Sequence, residues 1–289
     1  MSIRIAAPGK INLYLNITGR REDGYHTMEM VLATVSLCDE VEIALREKGI
    51  RFSCDGLGLP AGEENTAYQA ARLVLEAAGG GGVSLRLHKR IPTQAGMGGG
   101  SADAAAVIFG LNRLLGEPLD WKRQLEIAAQ VGADVPFCLT GGIQRATGAG
   151  EELMPLGGQL NFNCVLVKPH TGIPTAWAFA QFDRKGAPLE SSLDEICQAV
   201  RQGDLAEVAA LMQNAFEQVC PLEEVSALKR QLLQMGALGA MMTGSGSAVF
   251  GLFEDHASAL AAAEELEADG LEAWAARSLP EGPWVLSQT

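Results

Sequence analysis

The sequence predicts a mixed helix-and-sheet protein made of two domains that share a cleft. The chain has 289 residues, a length that suits two domains better than one small domain. Hydrophobic residues make up 47% of it and charged residues 20%, which is the composition of an ordinary globular protein. Segments that alternate with period two are interleaved with segments of helical period, and this order predicts sheets covered by helices.

The first half of the chain contains six predicted strands and three predicted helices. Asn65 and Thr66 can cap the first helix, and Gly132 ends the third. Pro8-Gly9-Lys10 interrupts the first two strands, and residues 60–64 form a loop. The strands are expected at 3–7, 11–17, 30–37, 41–45, 50–54 and 83–88. The helices are expected at about 66–78, from the end of the glycine-rich stretch to about 115, and at 121–131.

The glycine-rich stretch 140–158 marks the predicted boundary between the domains. We place the division so that residues 1–157 form an N-terminal domain and residues 158–289 form a C-terminal domain. In the second domain, strands are expected at 164–168, 238–243, 247–253 and 271–276, and helices at 192–201, 204–218, 223–235 and 256–268.

The charge of the chain excludes a phosphate polymer as its partner. Lys and Arg total 22 against 35 Asp and Glu, so the net charge is −13 and nucleic acid would be repelled. A single nucleotide remains possible, because one locally positive pocket and a bound Mg²⁺ are enough to hold it. We therefore expect a small-molecule ligand and no nucleic acid.

The cysteines and histidines are scattered, and this pattern predicts neither a zinc site nor a disulfide framework. The chain has six Cys and four His, with no C-x-x-C pair. Reduced thiols in a cytoplasmic protein are the expectation. The N-terminal residues lack the apolar region of a signal peptide, and no stretch approaches the roughly 20 apolar residues of a membrane span. No membrane partner is expected.

Four glycines stand within five positions at residues 96–100, directly before a predicted helix, and residues 92–102 are here named the glycine segment. Glycine lets backbone N–H groups approach an anion with no Cβ in between, and a helix start adds unpaired N–H groups and a positive dipole end. This combination predicts a phosphate-binding site. Ser101 can cap the helix, and its hydroxyl can contact a phosphate or Mg²⁺.

The alternative for the glycine segment is a flexible turn before a capped helix. The segment lacks the P-loop pattern G-x-x-x-x-G-K-[ST], and the spacing from Gly96 ends on Ser101 where a dinucleotide-binding pattern would have glycine. Asp103 is expected in the first helical turn, where its charge would repel a phosphate unless Mg²⁺ lies between them.

Lys10 and Asp134 are candidates for the chemistry of phosphate transfer. Lys10 lies in a turn between two strands, where it can neutralise a phosphate, and Asn12 shares its strand face. Asp134 follows a helix and can act as a general base toward a hydroxyl. The alternatives are a solvated lysine and an Asx-turn that closes the helix.

Two further segments can contact a ligand. Tyr25 and His26 can stack on and hydrogen-bond a base, although a half-buried strand start explains them equally well. Phe179 and Trp177 are core residues by default. The second glycine turn, residues 243–246, can pack against a ligand or against the glycine segment, or it is simply a tight turn between strands.

The order of these motifs resembles that of a known kinase superfamily. Residues 8–12, 92–106 and 243–246 look like the three motifs of the galactokinase, homoserine kinase, mevalonate kinase and phosphomevalonate kinase (GHMP) superfamily. Within it, residues 19–26 (Gly-Arg-Arg-Glu-Asp-Gly-Tyr-His), 132–136 and 173–175 resemble the family of diphosphocytidyl methylerythritol kinases of the non-mevalonate isoprenoid pathway. The similarity spans nearly the whole chain.

The resemblance implies an α+β, two-domain GHMP-kinase-like fold with the active site in the interdomain cleft. It implies ATP-dependent phosphorylation of the 2-hydroxyl of a cytidine-diphosphate-linked alcohol, with Mg²⁺, by a monomer or weak homodimer. It places Lys10 and Asp134 as the catalytic pair and Asn65 near the nucleotide. The implied ATP-binding residues are Pro92, Thr93, Gln94, Ala95, Gly96, Met97, Gly98, Gly99, Gly100, Ser101 and Ala102. The implied substrate-binding residues are Asn12, Tyr25, His26, Thr175 and Phe179.

Two alternative functions stay open at this point. Another kinase of the superfamily, acting on a mevalonate derivative or a sugar, would not need Tyr25 and His26 at a cytosine. A non-catalytic nucleotide-binding protein would not need both Lys10 and Asp134.

Overall fold

The computed structural model of the chain describes residues 1–55, 62–157 and 160–289. Residues 60 and 61 of the expected loop and the first residues after the predicted domain division lie outside these ranges. The strands are β1 (Ser2–Arg20), β2 (His26–Arg46), β3 (Gly49–Cys54), β4 (Gly82–His88), β5 (Ile143–Thr147), β6 (Glu152–Pro155), β7 (Asn163–Lys168), β8 (Gln213–Asn214), β9 (Gly239–Met242), β10 (Val249–Phe253), β11 (Glu272–Arg277) and β12 (Trp284–Gln288). The helices are α1 (Thr66–Ala77), α2 (Gly99–Leu114), α3 (Trp121–Val131), α4 (Val135–Thr140), α5 (Thr175–Lys185), α6 (Leu193–Gln202), α7 (Leu205–Leu211), α8 (Glu223–Gln234) and α9 (His256–Ala268), with a 3₁₀ helix at Ala215–Val219.

A large first sheet has the strand order β12-β1-β2-β4-β3, with β5 and β6 continuing from β2 and the short β8 beside β1. The strands expected at 3–7 and 11–17 form the single strand β1, and those expected at 30–37 and 41–45 form the single strand β2. Pro8 pairs with Cys38, whereas Lys10 pairs with Thr34, so the register shifts between them. This bulge absorbs the proline and lets β1 continue.

Helices α1 and α2 lie against the first sheet, and α3 and α4 pack against α2. Asn65 caps α1 as expected, because its Oδ1 accepts a hydrogen bond from the backbone N–H of Ala67 at 2.9 Å. Gly110 brings the α2 backbone close to the sheet, since a Cβ there would lie 2.7 Å from Ile5 Cγ1 and 2.8 Å from Ile43 Cδ1.

The second sheet has the order β11-β7-β10-β9 and is antiparallel throughout, with α8 and α9 packed on it. The last strand, β12, returns to the first sheet and pairs with β1. The two sheets therefore confirm the predicted α+β class, while the division at residue 157 stays a prediction. Sequence patterns did not predict α4, α5 or β12.

The helix expected at 204–218 is wrong as one element. It divides into α7, β8 and the 3₁₀ helix, with a break at Asn214. The side-chain amide of Asn214 donates to the carbonyl oxygens of Met242 and Gly244 at 2.7 and 2.9 Å, and its Oδ1 accepts from the N–H of Phe216. These bonds tie the segment to the second glycine turn, so tertiary contacts override the helical pattern.

No disulfide joins the cysteines of this chain, and burial raises the pKa of the Cys164 thiol to about 12. Such a thiol stays protonated and unreactive. Within the described ranges, no helix combines the length and apolar character that crossing a membrane requires.

We expect Gly110→Ala to lower the free energy of unfolding by about 1–2 kcal/mol. The added methyl group would overlap Ile5 and Ile43, and this overpacking outweighs the better helix propensity of alanine. Urea unfolding of both proteins measures the change. Gly132→Ala is the control, because a Cβ there meets only Val135 Cγ2 at 3.5 Å in extended backbone. Equal stability of Gly110→Ala and wild type would contradict the close packing of α2.

Candidate active site

A cavity of about 990 Å³ lies between the two halves of the chain. Elements of the first sheet, the start of α2, α5 and the second glycine turn all contribute to its wall. Among the residues singled out from the sequence, those lining it are Lys10, Asn12, Tyr25, His26, Asn65, Thr66, Pro92, Thr93, Gln94, Ala95, Gly96, Met97, Gly98, Gly99, Gly100, Ser101, Asp103, Asp134, Thr175 and Phe179. Ala102 is not among the lining residues, because it is buried inside α2.

The glycine segment is held against the second glycine turn. Gly96 has a φ of +74°, and a Cβ on it would collide with the carbonyl oxygen of Thr243. The backbone N–H groups of Ser247 and Ala248 donate to the carbonyl oxygens of Gln94 and Ala95 at 3.2 and 3.3 Å. The second glycine turn therefore packs against the glycine segment, and together they form one wall of the cavity.

Helix α2 begins inside the glycine segment, two residues before Ser101. Gly98 is the N-cap, with a φ of +69°, and the N–H of Ala102 makes a helical bond to its carbonyl oxygen at 2.9 Å. Ser101 is therefore not the cap, since glycine adopts the left-handed conformation that ends the loop. The N–H groups of residues 99–101 have no acceptor within the helix, and they stand at its positive end on the cavity wall. This arrangement suits the phosphates of a nucleotide.

Lys10 and Asp134 meet at the cavity although they are far apart in sequence. Lys10 Nζ lies 3.6 Å from Asp134 Oδ2 and donates to Asn12 Oδ1 at 2.8 Å. The lysine is 5% exposed, whereas the Asp134 side chain is 35% exposed. Asp134 makes no side-chain capping bond to α4, so its carboxylate is turned to Lys10 rather than into an Asx-turn.

Two features determine where the Lys10 side chain lies: the bulge of β1 and the lack of a side chain at Gly98. The backbone N–H of Lys10 donates to the carbonyl oxygen of Met97 at 3.0 Å, which ties β1 to the glycine segment. A Cβ on Gly98 would lie 3.1 Å from Lys10 Cγ, so glycine leaves room for the lysine stem. The N–H of Asn12 donates to Thr243 Oγ1 at 3.0 Å and fixes the same strand to the second glycine turn.

A buried charge cluster supports the glycine segment from behind. Lys89 Nζ donates to Asp103 Oδ2 at 2.6 Å and to Asp39 Oδ2. Asp39 Oδ1 also accepts from the N–H groups of Arg90 and Ile91. Burial lowers the pKa of Lys89, but the charges of Asp103 and Asp39 outweigh it and raise that pKa overall. Burial, opposed by Lys89 and aided by Asp39, raises the pKa of Asp103 to about 7.

The surroundings of Asp103 reduce the repulsion that its carboxylate would exert on a bound phosphate. Asp103 is the fifth residue of α2 rather than part of its first turn, and its charge is shared with Lys89. Two carboxyl groups around one ammonium make a net negative cluster only when both are ionised. The raised pKa of Asp103 keeps a fraction of this carboxyl neutral near pH 7.

Aromatic rings form the other end of the cavity. The imidazole of His26 stacks on Phe179 with ring centroids 4.5 Å apart and an interplanar angle of 21°. Phe179 meets Phe216 edge-on at 4.9 Å. Tyr25 is 65% exposed at the rim, and the hydroxyl groups of Thr175 and Ser245 lie 3.0 Å apart. Flat rings beside polar groups suit a planar base.

Sequence reasoning missed three groups that shape this site. Lys89 and Asp39 look like ordinary surface charges in the sequence, because only folding shows that they are buried with Asp103. Asp183 contacts His26 from α5, and its spacing of four residues from Phe179 would have placed both on one helix face. That signal requires α5, which the sequence pattern did not predict.

We expect Lys89→Met to lower the free energy of unfolding by about 3–5 kcal/mol, because it leaves two buried carboxyl groups without a cation. Asp103→Asn is the matched comparison. It mimics the protonated carboxyl and keeps one ammonium opposite one carboxylate, so we expect a change within about 1 kcal/mol. Thermal and urea unfolding measure both. A stable Lys89→Met variant, or an Asp103→Asn variant that is equally damaged, would contradict this account of the cluster.

Comparisons with known proteins agree with this geometry. The family model for the N-terminal domain of GHMP kinases matches residues 65–142, and the model for the C-terminal domain of GHMP kinases matches residues 196–271. The chain is 40% identical to a 4-diphosphocytidyl-2-C-methyl-D-erythritol kinase of Acetivibrio thermocellus, over 92% of this chain and 95% of the relative. It is 43% identical to the enzyme of the same name from Desulfitobacterium hafniense, over 90% of this chain and 91% of the relative.

A solved structure of a 4-(cytidine 5'-diphospho)-2C-methyl-D-erythritol kinase superposes with a TM-score of 0.80. Its sequence is 36% identical, and the match covers 96% of this chain and 99% of the other. The fold, the cavity and these relatives lead to one assignment. The chain belongs to the GHMP kinases and, within them, to the family of 4-diphosphocytidyl-2-C-methyl-D-erythritol kinases.

Proposed function

We propose that this protein transfers the γ-phosphate of ATP to the 2-hydroxyl of 4-diphosphocytidyl-2-C-methyl-D-erythritol, in the non-mevalonate route to isoprenoid precursors. The family supports the reaction and the substrate. The observation that carries the proposal is the meeting of Lys10 and Asp134 in one cavity, between a helix start that suits phosphates and a group of aromatic rings.

ATP is proposed to bind along the glycine segment. Backbone N–H groups at the start of α2 hold its phosphates, and Asn65 and Pro92 lie on the wall beside them. In the described ranges, no three His, Cys, Asp or Glu side chains form a metal-binding group. We propose that Mg²⁺ arrives with ATP, because Mg²⁺ is usually held by substrate phosphates and water with few protein ligands. Oxygen groups that suit it line the wall, among them the hydroxyl of Ser101 and the carboxylate of Asp134, and the carboxyl groups of Glu64 and Asp103 line the same cavity.

When bound, Mg²⁺ would supply positive charge that offsets the charge of the phosphates. The acceptor is proposed to lie with its 2-hydroxyl at Asp134, whose exposed carboxylate takes the hydroxyl proton. The freed oxygen forms a bond to the γ-phosphorus, the bond from that phosphorus to the bridging oxygen breaks, and ADP leaves. Lys10 lies beside both partners, so its ammonium group offsets the charge of the phosphates.

The cytidine end of the substrate is proposed to lie at the aromatic end of the cavity. Tyr25, His26 and Phe179 supply flat rings for the base, and Thr175 adds a hydroxyl group. Asn12, bonded to Lys10, is near the substrate phosphates. A cytoplasmic setting is part of this proposal, because buried thiols that stay protonated, such as that of Cys164, suit a reducing compartment.

A panel of acceptors tests the proposed substrate. Purified protein with MgATP is offered 4-diphosphocytidyl-2-C-methyl-D-erythritol, mevalonate, phosphomevalonate, galactose and homoserine, and release of ADP is followed. We expect turnover with the cytidine compound alone. Turnover with another acceptor, or with none, would overturn the proposal.

We expect Asp134→Asn and Lys10→Met each to lower kcat by roughly 10²–10⁴-fold while the protein stays folded. The first variant loses the proton acceptor, and the second loses the charge beside it. Steady-state kinetics and circular dichroism measure both effects. Lys122→Met and Asp194→Asn change the same residue types on the exposed surface, and we expect them to keep wild-type kcat. Near-normal turnover of the two cavity variants would remove Lys10 and Asp134 from the reaction.

A further inference from the structure

A carboxylate stands behind the imidazole that faces the aromatic end of the cavity. His26 Nε2 lies 2.6 Å from Asp183 Oδ1. His26 begins β2 in the first half of the chain, and Asp183 lies in the last turns of α5 in the second half. Because His26 lines the cavity and is only 10% exposed, this contact crosses from one half to the other just behind the site.

The contact determines which ring nitrogen carries the proton. The hydrogen bond from His26 lowers the pKa of Asp183, and the charge of Arg20 acts in the same direction. An ionised carboxylate only accepts hydrogen bonds, so the proton must be on Nε2. In the neutral ring, Nδ1 then has a lone pair and accepts. In the described part of the chain, Nδ1 has no protein partner, so it is the nitrogen available to a ligand.

We propose that Asp183 is a positioning residue that fixes the tautomer of His26, so that Nδ1 accepts a hydrogen bond from the exocyclic amino group of cytosine. This inference rests on the proposed function, because it assumes a base at the aromatic end of the cavity. It assigns selection of cytosine over uracil to a side chain that does not itself touch the substrate.

The stacking of His26 supports this arrangement. A hydrogen bond to Nδ1 lies in the plane of the imidazole ring, and that ring is nearly parallel to Phe179. A base bonded to Nδ1 therefore lies close to the plane of the imidazole, and one face of the base can pack against the same rings as the imidazole does. Tyr25 precedes His26 at the rim and has an exposed ring that can cover the other face of the base.

The chemistry of the two pyrimidines decides the selection. Cytosine has an amino donor at the position where uracil has a carbonyl oxygen. An Nδ1 lone pair bonds to the amino group and repels the carbonyl oxygen, so a fixed tautomer favours cytosine. If the ring were free to move its proton to Nδ1, it would donate instead and would accept uracil. A buried acceptor that rejects the wrong partner gives larger discrimination than a shape difference does.

The first measurement needs no substrate. Nitrogen chemical shifts of the full-length protein, labelled with ¹⁵N-histidine, report which ring nitrogen of each of the four histidines is protonated. His26→Gln assigns the signal of His26. At about pH 8.5, where an imidazole is neutral, we expect the proton on Nε2 in wild type and a mixture of both tautomers in Asp183→Ala. An unchanged tautomer in Asp183→Ala would overturn the proposal.

The second measurement is binding of cytidine diphosphate and uridine diphosphate by calorimetry, with a non-hydrolysable ATP analogue present in excess to fill the ATP site. We expect Asp183→Ala to weaken binding of cytidine diphosphate by about tenfold and to reduce the preference over uridine diphosphate by a similar factor. In kinetics with the cytidine substrate, KM should rise by about tenfold while kcat and the KM for ATP stay within about twofold. Equal weakening of both nucleotides would show a purely structural role and overturn the proposal.

Arg20→Gln is the matched control. Arg20 Nη1 contacts the other oxygen of Asp183 at 3.3 Å on the exposed side, so this variant removes a surface charge without removing the bond to His26. We expect wild-type tautomer and binding within about twofold. If Arg20→Gln bound cytidine diphosphate as weakly as Asp183→Ala does, the surface charge rather than the bond to His26 would explain the effect. That result would contradict the proposal.

Failure of the proposed function gives a different result from failure of this inference. A wild-type protein that turns over no cytidine substrate contradicts the proposed reaction. A wild-type protein that turns over the substrate, with Asp183→Ala unchanged in tautomer and in binding, contradicts the role of Asp183 alone.

Discussion

The clamping of the glycine segment between β1 and the second glycine turn is the constraint on which the site depends. The N–H of Lys10 bonds to Met97 on one side, and the carbonyl oxygens of Gln94 and Ala95 accept from the second turn on the other. Gly96 and Gly98 make both approaches possible, because each lies where a Cβ would meet a neighbouring group. The same contacts set where α2 begins, where its N–H groups point and where Lys10 lies relative to Asp134.

Charge at the site is balanced locally, although the chain as a whole has a net charge of −13. Lys10 lies beside Asp134, and Lys89 is shared by Asp39 and Asp103, so both buried lysines of this region face carboxyl groups. Much of the positive potential offered to a phosphate must then come from backbone N–H groups and the start of α2. A site of this kind also benefits from a metal ion that accompanies the nucleotide, which the proposed role of Mg²⁺ supplies.

Local patterns in the sequence were enough to predict a mixed helix-and-sheet protein, most helices and the glycine segment, and the family resemblance added the α+β class. They failed where distant parts of the chain decide the outcome. Asn12, Tyr14 and Asn16 alternate with apolar residues, a pattern typical of a half-exposed strand, yet all three are buried. The second half covers them: Tyr14 accepts a bond from the N–H of Ser192, and Asn16 bonds to Leu189 in both directions. The meeting of Lys10 with Asp134 and of His26 with Asp183 depends on the same long-range packing, which no local pattern records.

The pairing of β12 with β1 has a consequence for how the protein forms during synthesis. Ser2 and Thr289 exchange backbone hydrogen bonds, and the register runs from Ile3 with Gln288 to Ala6 with Trp284. During synthesis, residues 3–6 therefore have no partner on this side until residues 284–288 have been made, and only then is this edge of the sheet complete. Until then β1 exposes a row of unsatisfied peptide groups, which nascent chains on neighbouring ribosomes can also pair with. A chain whose synthesis stops before residue 284 would aggregate more readily than a chain that includes β12.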